Sequence, residues 1–123
     1  MKKSTRIRPV NNPFTGIEGY NCFGCAPSNP CGLQMAFQEE GEEIVSHWDP
    51  KPHFQGYGNI LHGGIITTLM DEIASWYIFT KLRTAGVTYG LEVRFLSPVY
   101  TDRGKITLRA AMKEMNRRKA GIG

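Results

Sequence analysis

At 123 residues the chain has room for one domain built on a single core. Its 41% hydrophobic and 21% charged residues are ordinary for a globular protein and exclude a low-complexity or fibrous class. The net charge of +4 sits mainly at the two ends, MKKSTRIR and KEMNRRK. No nucleic-acid-binding motif accompanies it, so those ends are read as solvated, and no nucleic-acid partner is expected.

The opening MKKSTRIRPVNNP leads into no apolar run, and nowhere do 18 apolar residues follow one another. Neither a secretory leader nor a membrane partner is therefore expected, and the expected location is cytoplasmic. Residues 1–32 are rich in Pro, Gly and Asn without a sustained period, which reads as an irregular arm. That arm holds Cys22, Cys25 and Cys31. An odd number of thiols argues against a disulfide framework. Cys22-x2-Cys25 with Cys31 and a histidine would suit zinc, but no second CxxC follows. The thiols are read as small buried packing groups, and neither metal nor cofactor is expected.

Leu33 to Phe37 alternates apolar with polar or small residues, and Ile44 to Trp48 is β-rich. With Glu-Glu-Gly-Glu between them they predict a hairpin. The loop DPKPHFQGYGN follows, with two prolines and two glycines. A helix is predicted from about Gly63 to Leu82, with Lys81 and Arg83 where the dipole favours cations. Val87 to Phe95 then alternates with its odd positions mostly apolar, a strong strand pattern. From 105 to 115 a strand (Ile106, Leu108, Ala110, Met112) competes with a helix (Leu108, Ala111, Met112, Met115), and the strand is preferred. One long helix among antiparallel strands needs a sheet to wrap it, so the predicted class is α+β.

The helix is apolar on nearly every side, which calls for cover beyond a single sheet, such as a second copy of the chain. Across it runs a narrow polar stripe of Thr68, Asp71, Glu72 and Ser75. That stripe is either open to water or retained for chemistry. The helix start weighs toward chemistry, because Gly63 and Gly64 leave backbone N–H groups unobstructed at the positive end of the dipole. Such donors can hold a developing oxyanion. Gly63 and Asp71 are eight residues apart, about 12 Å along a helix, so one carbonyl cannot meet both within one chain. Two antiparallel copies of the helix would bring Gly63 of one near Asp71 of the other.

Four stretches together resemble the PaaI-like branch of the hotdog-fold thioesterases, the 4-hydroxybenzoyl-CoA thioesterase superfamily. They are NCFGCAPSNPCGLQMAF, HFQGYGNILHGGIITTLMDE, the strand ending FLSPV, and the turn TDRG. The most specific element is HGG with an aspartate nine positions after its histidine, His62 to Asp71. The resemblance implies an antiparallel sheet wrapped round one long helix over 1–123, in a homodimer or homotetramer that hydrolyses acyl-CoA. It also implies two strands beyond the end of this chain, inside the sheet. Carried over, Asp71 is the general base or nucleophile and Gly63 the oxyanion donor. His62 and Gln55 lie around the thioester carbonyl, and Thr88 supplies a hydroxyl that positions water. The competing expectation is a hotdog domain that binds acyl-CoA or assembles without hydrolysis.

Overall fold

The computed structural model describes residues 6–116 and 119–123. Residues 1–5 of the basic opening and the pair 117–118 of KEMNRRK lie outside that description. Among the described residues eight elements follow in order: strands β1 (Ile7–Pro9), β2 (Gln38–Glu40) and β3 (Glu43–Trp48), a 3-10 turn (Pro52–Phe54), helix α1 (Gly63–Lys81), then β4 (Ile106–Ala110), β5 (Met112–Met115) and β6 (Ala120–Ile122). Strands β1 to β4 form one antiparallel sheet in sequence order, and β5 pairs with β6 in a second. Helix α1 enters between β3 and β4 and packs on both. The architecture is α+β, with an antiparallel sheet against one long helix, as predicted.

Strand β3 is the centre of the core. Ile44 and Val45 are fully buried and Trp48 nearly so, while His47 faces out. Its ladder to β4 runs from Ile44 opposite Ala110 to Trp48 opposite Ile106. Helix α1 offers Leu69, Ile73, Trp76 and Tyr77 to this core, positions at helical spacing on one face. Phe37 stacks on Trp76 at 5.1 Å between ring centroids, and Phe14 of the arm reaches Phe79 at 5.5 Å. The arm is thereby fastened to the helix by aromatic contacts. The helix stops at Lys81 because Arg83 takes a left-handed conformation, φ 54°, at the position where helices commonly end that way.

Several elements differ from the sequence expectation. The hairpin strand is Gln38–Glu40 rather than Leu33 to Phe37, so Glu39 and Glu40 belong to the ladder and only Gly41 and Glu42 turn. The alternation of Leu33, Met35 and Phe37 records burial, not pairing with β3. Their neighbour Gln34 has φ 54°, and the N–H groups of Leu33 and Met35 donate to Phe23 and Gly24 of the arm. The glutamates tolerate the sheet because cations meet them. Arg8 and Lys81 pair with Glu39, and Arg109 with Glu40 and Glu43. Gln38, donating at 2.6 Å, and then Arg109 hold the Glu40 carboxyl below its ordinary range.

The segment 87–95 forms no strand. Val87 is 94% exposed and Tyr89 79%. Alternation specifies which side chains share a face, but a strand also needs a neighbour, and the described residues supply none. The preference for strand over 105–115 corresponds to β4 and β5, broken at Ala111. Two short strands carried no periodic signal: β1, inside the stretch read as irregular, and β6, which contains Gly121.

Candidate active site

The first turn of α1 is built by its own cap. His62 is the N-cap, and its Nδ1 accepts from the Gly64 N–H at 2.9 Å. The first N–H groups of any helix lack intrahelical acceptors. With Gly64's N–H taken by the cap, that of Gly63 has no acceptor among the described residues. The ring of Phe95 lies 3.6 Å from where a Cβ on Gly63 would sit, so the helix start is roofed by an aromatic side chain.

The loop before the helix folds back on this turn. Gly56 donates to Ile60 at 2.8 Å, and His62 donates to Phe54 at 3.0 Å. Gln55 forms a bridge with Leu61 and is exposed. Gln55, His62 and Gly63 are thus neighbours at one end of the helix.

Asp71 sits two turns further along. The Thr88 hydroxyl donates to its Oδ1 at 2.6 Å. Because α1 is unbroken from Gly63 to Lys81, the eight residues between Gly63 and Asp71 still span about 12 Å. The structure brings together Asp71 with Thr88, and Gln55 with His62 and Gly63. It does not bring the two groups together within one chain.

The polar stripe divides. Thr68 and Ser75 turn their hydroxyls back to the carbonyls of Gly64 and Asp71, an ordinary way for a helix to satisfy them. Glu72 faces the arm instead of Thr88. It accepts from Trp76 Nε1 at 3.2 Å and from Cys22 Sγ at 3.5 Å. The carboxyl lies against Gly24, where any side chain would collide with it. Only Trp76, four residues on, was legible in the sequence as a partner of Glu72; Cys22 lies fifty residues away in the chain.

Of the cysteines expected to be buried, Cys25 is buried, Cys22 is half-buried and Cys31 is exposed. The Tyr20 hydroxyl lies 2.8 Å from Cys25 Sγ. Burial pushes the Cys25 thiol up to about 12, aided by the nearby Glu72 and opposed by the Tyr20 hydrogen bond. Burial also lifts Tyr20 to about 12, and either group can donate in the Tyr20–Cys25 hydrogen bond.

The model of the thioesterase superfamily matches residues 58–122, just over half of the chain, from the loop before α1 to β6. An uncharacterized protein of Schizosaccharomyces pombe is 34% identical over 62 residues. That match covers 50% of this chain and 35% of the relative, so the chain spans about a third of that protein. No solved structure matches.

Proposed function

Since the chain belongs to the thioesterase superfamily, with the superfamily's hotdog arrangement of sheet and helix, we propose that it hydrolyses acyl-CoA thioesters in the manner of the PaaI-like branch. The observation that carries this reading is Asp71. It is a half-buried carboxylate in the polar stripe of a largely apolar helix, oriented by the Thr88 hydroxyl at 2.6 Å.

In this reading Thr88 occupies Oδ1 and leaves Oδ2 to take a proton from water. The water oxygen attacks the thioester carbon, and the carbonyl oxygen becomes an oxyanion received by the Gly63 N–H at the helix N-terminus. The C–S bond then breaks, CoA leaves as the thiol with the proton returned from Asp71, and the acid is released. Gln55 and His62 flank the carbonyl. The separation along α1 requires the two halves to come from different copies, so the working unit is a homodimer or a larger assembly. The half-exposed Met70, 38% accessible, and the exposed apolar positions of 87–95 support a second copy as cover.

The test is release of free CoA from a panel of short, long and aromatic acyl-CoAs. Asp71→Asn keeps the shape and removes the base, and is expected to lower kcat by roughly 10²–10⁴. Unchanged turnover in Asp71→Asn, or no hydrolysis of any panel member by the native chain, overturns the reading.

A further inference from the structure

Among the described residues no Lys, Arg or His is ion-paired with the carboxylate of Glu72. What surrounds it instead are two thiols, an indole N–H and, through Cys25, a phenol. The Sγ atoms of Cys22 and Cys25 and one oxygen of Glu72 all lie within 4.8 Å of one another. We propose that Cys22, Cys25 and Glu72 form a site for a divalent metal ion, with zinc as the occupant, that ties the N-terminal arm to helix α1.

The local structure is suited to this. A turn closed by Ala26 N–H donating to Cys22 O at 3.1 Å brings both thiols onto one side. Gly24 between them lets that turn press directly on the Glu72 carboxyl. Two thiolates with one carboxylate match zinc, because magnesium and calcium avoid sulfur and copper(I) avoids carboxylate. A ligating carboxylate is ordinarily steadied by a further donor, and Trp76 Nε1 supplies one at 3.2 Å; the Tyr20 hydroxyl does the same for Cys25 Sγ.

Binding forms two Zn–S bonds and one Zn–O bond while both thiols lose their protons to solvent, with no change of oxidation state. The charges then sum to −1, and a water completes four-coordination. The consequence is mechanical: the ion fixes the arm to the residue next to Asp71. Nothing in this depends on the hydrolytic reading, since a chain inactive on every thioester can still carry the metal.

The experiment is elemental analysis of the full chain, purified with reductant and dialysed against zinc, alongside cobalt(II) titration read by the sulfur-to-cobalt charge-transfer absorption. About one metal per chain is expected, with the cobalt band present and Tm raised by at least about 5 °C over chelator-treated protein. Cys22→Ser and Glu72→Gln should each lose at least about ten-fold in affinity, whereas Cys31→Ser, altering the exposed thiol, should bind as the native chain does. Circular dichroism of the metal-free variants establishes that they are folded. Less than about a tenth of an equivalent of metal in the reduced native chain overturns the proposal. So does undiminished binding by folded Cys22→Ser, or a Cys22–Cys25 disulfide whose reduction restores no metal uptake.

Discussion

Asp71 and Glu72 are consecutive carboxylates, yet the helix turns them toward different neighbours about 100° apart. Asp71 meets a hydroxyl on the segment after the helix, and Glu72 meets the arm. The consequence for chemistry is testable at Thr88. Thr88→Val removes the donor to Oδ1 while keeping the side chain's shape. It is expected to lower kcat about 5- to 30-fold, equivalent to about 1–2 kcal/mol, with KM little changed. Thr88→Ser should recover most of the loss, and steady-state kinetics on the best panel substrate reads both. At this scale the sequence placed His62 at the helix cap and Gly63 and Asp71 on the helix, where the structure has them, because motif and spacing are local. It was silent on contacts that need the chain to return from far away. No periodicity announces that Cys22 and Glu72 meet, because that contact depends on where the arm docks.

Elements were legible in proportion to how much of their cause is local. Helix α1 carries its start, its apolar face and its closing cation within its own residues, and its observed bounds, Gly63–Lys81, differ from expectation by one residue at the end. Strands depend on partners that a single segment cannot name. Leu33 to Phe37 and Val87 to Phe95 share an alternating pattern, but the first is an irregular stretch hydrogen-bonded to the arm. The second is largely exposed along its apolar positions. In contrast, β3 is paired along both edges, with β2 and β4, and its energetic weight follows from that and from its burial. Ile44→Ala, at a position with no accessible surface, deletes buried methyl groups that neighbours cannot easily replace. It is expected to cost about 2–5 kcal/mol, read as a lower urea midpoint at unchanged slope.

At the scale of the whole molecule, a straight helix sets a distance that no side-chain rotamer removes. Gly63 and Asp71 remain about 12 Å apart along the helix axis in each chain, so hydrolysis by the proposed route requires a two-fold pairing of helices. That requirement gives a complementation experiment. Asp71→Asn lacks the base. Gly63→Pro lacks the oxyanion donor, and it does so gently, because proline is well tolerated at the first helical position and leaves the following turn intact. Each variant alone is expected to be inactive. When the two are unfolded together and refolded as a mixture, half of the dimers join one of each. In those dimers one site combines the native Gly63 of the first chain with the native Asp71 of the second, and the other site has neither. Random pairing therefore restores about a quarter of native activity. Mixing without subunit exchange should restore none, and the recovered activity should scale with the fraction of mixed dimers seen by native mass spectrometry. If each chain carried a complete site of its own, mixing would restore nothing under any condition, and the shared-site reading would fail with it.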